Sequence, residues 1–272
     1  MANIEHLALL QQGAVRWLEW RKKKHIEPDL SAADLIGANL RGANLTNVNL
    51  RKADLAKSKL IAANLAAANL SAANLNNAEL IDANLQHAQL VDAQLVKAQL
   101  KGADLSYANL IGADLKGADL RRVDLIEANL IAAELQDANF CEADLSGADL
   151  TRALLGYANL RAANLNRANL TQANLYEAEL IGAYLCFANL NQATLREAHL
   201  SGSYIYSADF THANLFKADL RWTNLMKANF AGANLTEANF TGANLMKANF
   251  TGANLTEANF TGAIMPDGTT HL

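Results

Sequence analysis

The sequence predicts an all-β solenoid, and three observations predict it. Leu, Phe or Ile occupies every fifth residue from Leu30 to Phe260, forty-seven positions without an insertion. Ala stands two residues before nearly every one of them, as in Ala38-Asn39-Leu40-Arg41-Gly42. Residues 226–243 recur at 246–263 with one change, Ala231 to Thr251. A period of five fits neither an amphipathic helix, which needs 3.6, nor a half-buried strand, which needs 2. It fits a coil that turns a corner about every five residues and sends one large apolar side chain inward per side. A duplication at a spacing of twenty is what adding one turn of a four-sided coil leaves behind.

Runs such as Ala103-Asp104-Leu105-Ser106-Tyr107 and Ala113-Asp114-Leu115-Lys116-Gly117 resemble the pentapeptide-repeat proteins. The head Trp17-Leu18-Glu19-Trp20-Arg21 and the tail Gly262-Ala263-Ile264-Met265-Pro266-Asp267-Gly268 are similar to those of cyanobacterial members. The resemblance implies a right-handed quadrilateral β-helix, here of about twelve coils, and a position two before each central residue that also points inward. It implies little about function, because members of one fold serve many roles.

Each repeat position has a physical reason. A fully buried Leu is worth roughly 1.5–3 kcal/mol before the cost of ordering the chain. Ala suits a narrow interior, and its departures Val48, Ser58, Val123, Ser203 and Thr223 are small or β-branched. Ser203 and Thr223, twenty apart, are expected to bond one another or the backbone. Asn or Asp mostly precedes the central residue, and both tolerate tight turns and bond local backbone. Twelve of the fifteen glycines stand two residues after it, where a corner needs an unusual φ. Phe210, Phe230 and Phe250, and likewise Phe240 and Phe260, are spaced by twenty and predict two ring stacks on opposite inner sides.

The ends of such a coil need covers. Ile4, Leu7, Leu10, Ala14, Trp17 and Leu18 fall at helical spacing over residues 3–24, with a possible break at Gly13. They predict an α-helical cap in which Trp17 and Trp20 close over the first coil. The basic run Arg21-Lys22-Lys23-Lys24 complements that helix's C-terminal dipole, and His25–Asp29, with Pro28, leads into the coil. The expected division is 1–28 cap and lead-in, 29–265 pentapeptide-repeat β-helix, and 266–272 tail. No helix follows Met265, so either Ile264 and Met265 plug the base or a C-terminal homodimer forms there, as the family resemblance allows.

Composition excludes several function classes. Hydrophobic residues make up 51 % of the 272, yet aromatics only 6 %, which suits a thin coil better than a compact globule. A net charge of −4 leaves no footprint for direct nucleic-acid binding. No apolar stretch is long enough for a membrane span, and no signal peptide is evident. Cys141 and Cys186, forty-five apart, are expected as free thiols in a cytoplasmic protein. The six His are scattered, and no metal-ligand spacing, phosphate loop or nucleophile motif occurs, so no enzyme, metal or cofactor is expected.

Folding the sequence into rows of twenty gathers Tyr184, Cys186, Phe187, Tyr204 and Tyr206 on one side, Tyr184 under Tyr204 and Cys186 under Tyr206, as the one cluster of exposed aromatics. Tyr157 and Tyr176 fall on a neighbouring side. Exposed Tyr is favoured at protein interfaces, although ring stacking could instead serve only the ladder. A second side carries Lys101, Arg121, Arg122, Arg161, Arg221 and Trp222, interrupted by Cys141, Glu142 and Ile181, and reads as solvated charge. The expected function is a non-enzymatic scaffold that binds an unknown protein through a flat side. The alternatives are a DNA-mimic inhibitor of a type II topoisomerase, which the resemblance allows but the charge opposes, and a purely structural rod.

Overall fold

The computed structural model describes residues 2–23 and 27–272, without the side chains of Ala14 and Lys23. Lys24 of the basic run and His25 of the lead-in lie outside the described residues. The chain divides into two compact units, Met1–Glu134 and Leu135–Leu272.

The first unit begins with helices α1 (Ile4–Gln11) and α2 (Ala14–Lys23). Asn3 caps α1, its side chain accepting the N–H groups of Glu5 and His6. Gly13, at φ 103°, separates the two helices. That break redirects the expected apolar face, which ran through both helices as one. Leu10 and Trp17 are buried, but Ile4 and Leu18 are exposed, and the buried place is taken by His6. His6 Nδ1 accepts the Asp29 N–H at 3.0 Å and its ring lies 4.9 Å from Trp20. Trp17 donates from Nε1 to the Asn44 carbonyl at 2.6 Å and stacks on Trp20 at 5.2 Å. Arg21 donates to the Thr46 carbonyl at 2.6 Å. The tryptophan closure therefore forms as expected. Arg21 of the basic run docks the cap onto residues 44–46 as well as ending a helix.

From Asp29 onward the unit is a β-helix in which each side gives one residue to a parallel bridge with the residue twenty further on. The ladder Asp34, Asp54, Asn74, Gln94, Asp114, Glu134 is one of four. Leu35 N–H reaches Asp54 O at 2.8 Å, and Asp54 N–H reaches Ala33 O at 2.9 Å. Central residues and the small residues two before them are buried throughout the ladder, except Ala38, half-buried at the edge of the cap.

The second unit repeats this pattern from Asn139 bridged to Asn159 as far as Asn244 bridged to Ile264. Its core holds the expected ring stacks. Phe210, Phe230 and Phe250 stack at 5.0 and 5.1 Å, Phe240 and Phe260 at 5.0 Å, and the two columns meet edge to face at 6.0–6.2 Å. Ser203 and Thr223 bond backbone rather than each other, donating at 2.6 Å to the carbonyls of Leu200 and Leu220. Beyond Ile264 the chain doubles back, with Met265 N–H to Thr269 O at 2.7 Å and His271 N–H to Ala263 O at 2.9 Å.

Both units share one corner design. The residue two after each central position has positive φ at all forty-seven corners, twelve of them Gly and thirty-five not. The following inward residue closes the turn, as Ala33 N–H does on Leu30 O at 3.1 Å, a type II arrangement. Glycine thus relieves a strain that most corners bear without it, at a cost of about 1–2 kcal/mol each. The Asn or Asp before the central residue does not itself adopt the left-handed turn. Its Oδ1 accepts the N–H two residues on, as Asn44 does from Thr46 at 3.2 Å, and braces the corner.

Candidate functional site

In the second unit the side built on Leu165, Leu185, Ile205, Leu225 and Leu245 presents three outward residues per coil: one before the central residue and two after it. Because successive coils stack about 4.8 Å apart, residues twenty apart form vertical columns of side chains. Tyr184 and Tyr204 occupy the first column. Their rings stack at 5.0 Å, only 6° from parallel, and remain 43 % and 48 % exposed. Phe187, 55 % exposed, meets Tyr206 edge on at 5.5 Å. Tyr206 therefore pairs with Phe187, and Cys186 turns its Sγ toward the Tyr204 carbonyl at 3.7 Å. All five expected residues are brought to one surface, in a pairing the row arithmetic alone does not distinguish. Both cysteines are free.

The columns also bring in residues the sequence reading passed over. Met226 and Met246 continue the column of Cys186 and Tyr206, and Lys227 and Lys247 continue that of Phe187. Lys227 Nζ donates to the Tyr206 hydroxyl at 2.6 Å and lies 5.1 Å from its ring centroid. This hydrogen bond, aided by the charges of Lys227 and Lys247, lowers the Tyr206 pKa from its ordinary value. Extending the spacing of twenty past Tyr206 would have found these residues.

Tyr157 and Tyr176 lie on the opposite side rather than the neighbouring one, because their ladder (Leu154, Asn174, Thr194) is offset by ten residues from that of Tyr184. They touch edge on at 5.4 Å, and a bond to Glu177 raises the Tyr176 pKa. The expectation that exposed aromatics cluster in one place is corrected by the first unit, where exposed Tyr107 stacks on His87 at 5.1 Å. On the expected basic side, charges are paired rather than only solvated. Arg121 and Arg221 each grip the carboxylate two residues earlier through two bonds of 2.6–2.8 Å. Arg161 reaches Glu179 at 3.5 Å. Trp222 is 68 % exposed, and its indole lies against the Gly242 corner, where any Cβ would collide with it.

A cleft of about 270 Å³ lies between the helices and the first coil, lined by Leu10, Gly13, Leu35 and Leu40 among others. Among the described residues no group of three or more His, Cys, Asp or Glu could hold a metal ion. No helix among them is long and apolar enough to cross a membrane.

The coil geometry and the repeat define a class, and the comparisons agree with it. The pentapeptide repeats model matches in eight copies between residues 29 and 262. The chain belongs to the pentapeptide repeat family. It is similar to HetL, a pentapeptide repeat protein involved in heterocyst differentiation regulation from the cyanobacterium Nostoc sp. strain PCC 7120. The two are 38 % identical over 82 % of this chain and 91 % of HetL, with a TM-score of 0.50. A pentapeptide repeat protein of the Arabidopsis thaliana thylakoid lumen is 32 % identical over 34 % of this chain and 65 % of its own, at TM-score 0.32. QnrB1, a plasmid-mediated fluoroquinolone resistance protein, is 17 % identical over 68 % of this chain and 86 % of its own, at TM-score 0.38. No curated protein matches the chain.

Proposed function

We propose that this protein is a non-enzymatic, cytoplasmic scaffold that binds a protein partner through the flat side bearing Tyr184, Cys186, Phe187, Tyr204 and Tyr206, on a right-handed coil of about twelve turns. One observation carries the reading: the parallel Tyr184–Tyr204 pair, with both rings nearly half exposed and Phe187 beside them. Rings already fixed by stacking lose little freedom on binding, so the area they bury against a partner is retained as affinity. HetL's involvement in regulation of differentiation fits a chain that acts by contact rather than by chemistry. Duplex mimicry needs dense negative charge along the whole coil, whereas the net charge is only −4, the residues before the central positions are mostly Asn, and Asp119 and Asp219 are each engaged by an Arg.

The test is affinity capture from a cyanobacterial lysate, wild type beside a Tyr204→Ser/Tyr206→Ser variant, read by mass spectrometry with circular dichroism as the folding control. A protein retained by the wild type and lost with the folded variant is the expected result. Equal retention by both, or unfolding of the variant, sinks the proposal and leaves the rings as parts of the ladder. A second contact, a C-terminal homodimer, is proposed at the end of the coil, where Leu255 is exposed and Phe250 and Phe260 are only half-buried. Sedimentation that stays monomeric at every concentration would refute it.

A further inference from the structure

Resting on that reading, we infer that the partner presents a short acidic segment with apolar anchors, laid along the columns from Arg167 to Lys247. Four coils of rise separate those two residues, about 19 Å, which is the length of five or six extended residues. Over that length this side presents Arg167, the five aromatic and thiol residues, Met226, Lys227, Met246 and Lys247, with only Asn or Ser at its other outward positions. Three cations stand there and no carboxylate, in a chain whose net charge is −4. The carboxylates that border this stretch are engaged. Asp144, one coil before Asn164 on the same side, accepts from Asn164 Nδ2 at 3.0 Å and from the Ser146 N–H. Asp209, across a corner, accepts from the Thr211 N–H and from Asn229 Nδ2 at 3.2 Å. Among the described residues no ion pair involves Arg167, Lys227 or Lys247, and Lys227 spends a bond only on the neutral Tyr206 hydroxyl.

The contrast with the opposite side of the same unit sharpens the argument. There the corresponding corner column carries Asp137, Glu177, Glu197, Glu237 and Glu257 with one cation, Lys217. These two corner columns therefore carry opposite charge; exposed Tyr157 stands in the acidic one, while the parallel Tyr184–Tyr204 pair and Phe187 lie on the cationic side. Two chemistries coincide on that surface. The flat Tyr pair and the soft methionines accept apolar side chains of varied shape, while the flanking cations attract carboxylates and orient the segment along the column. A basic or neutral partner would gain from the rings alone and would leave the cations unpaired.

The experiment selects a random peptide library, displayed on phage, against the immobilised full chain. Parallel selections use a Tyr184→Ser/Tyr204→Ser variant and a Lys227→Glu/Lys247→Glu variant, and enriched sequences are measured as labelled synthetic peptides by fluorescence anisotropy. The expected pool is rich in Asp and Glu interspersed with Leu, Phe or Tyr, and it is lost on the Tyr variant. Charge reversal at Lys227 and Lys247 should weaken the peptides about tenfold, with a loss that shrinks as salt is raised. A Tyr-dependent pool without acidic bias, or one indifferent to charge reversal, overturns the acidic segment and leaves the binding surface standing. A selection that enriches nothing dependent on the Tyr pair overturns both. Concentration-dependent self-association abolished by the Lys variant would instead seat the acidic column of a second copy on this side, and that also overturns the peptide.

Discussion

Phe230→Ala is the perturbation whose size the structure defines best. The ring is fully buried, stacked between Phe210 at 5.0 Å and Phe250 at 5.1 Å, and edge on to Phe240 at 6.0 Å. Removing a buried Phe side chain costs about 3–5 kcal/mol, and the interior closed by four bridged sides has little freedom to collapse onto the void. Phe230→Leu is the control, because Leu fills the same position in most other coils. It keeps most of the volume and forfeits the ring contacts, roughly 1 kcal/mol. A solenoid transmits stability mainly between neighbouring coils, so the damage should be local. Amide exchange is the assay. The Phe210 N–H bonded to Asn229 O and the Phe230 N–H bonded to Asn249 O should exchange far faster in the Ala variant, and the Leu145 N–H bonded to Asn164 O should barely change. Equal damage from Leu and Ala would show that these coils are shaped for rings and not merely for bulk. Acceleration spread evenly over the unit would refute nearest-neighbour coupling.

Four further outcomes are expected. Ala162→Gly relieves a φ of 54° and should raise stability by about 1 kcal/mol, while Gly202→Ala, at φ 67° with open space around it, should cost as much, both read by urea denaturation. Among the described residues the buried Ser58 hydroxyl has no hydrogen-bond partner, so Ser58→Ala should be neutral or stabilise by up to about 1 kcal/mol, whereas Ser203→Ala should destabilise by about the same amount; a matching response from both would refute the distinction. His6→Ala removes the acceptor of the Asp29 N–H and should free the helical cap, costing about 1–3 kcal/mol and exposing Trp17 to a fluorescence quencher. The Arg121 hydrogen bond lowers the Asp119 pKa, and at Asp219 burial pushes upward but the Arg221 bonds and charge outweigh it. A lowered carboxylate contributes stability above the unfolded value of about 3.9, and that contribution is lost as pH falls through the folded value. The thermal midpoint should therefore drop on acidification more in the wild type than in Arg121→Ala/Arg221→Ala, and an equal drop in both would refute the assignment.

The interior of this protein was legible in its sequence because the repeat is the structure. A period of five with no insertion sends the large apolar residue inward, the family resemblance implies the inward Ala two before it, and the spacing of twenty sends Phe230 onto Phe210 and Phe250. The corners were half legible. Twelve glycines marked the position with positive φ, but the thirty-five other residues bearing it carry no common side chain. The Asn and Asp that seemed to make the turn brace it through Oδ1 instead. At the head, helical spacing found a cap and its break but misjudged its face, since Gly13 lets two short helices dock independently and only docking decides that His6, rather than Ile4, is buried. On the Tyr side, the row arithmetic determined which residues share a surface. Whether Tyr206 meets Cys186 or Phe187, and whether Lys227 bends onto its hydroxyl, depends on rotamers chosen among neighbours a coil apart. Those choices are tertiary, because at an exposed column several rotamers satisfy the chain and only contact with the adjacent coil selects one.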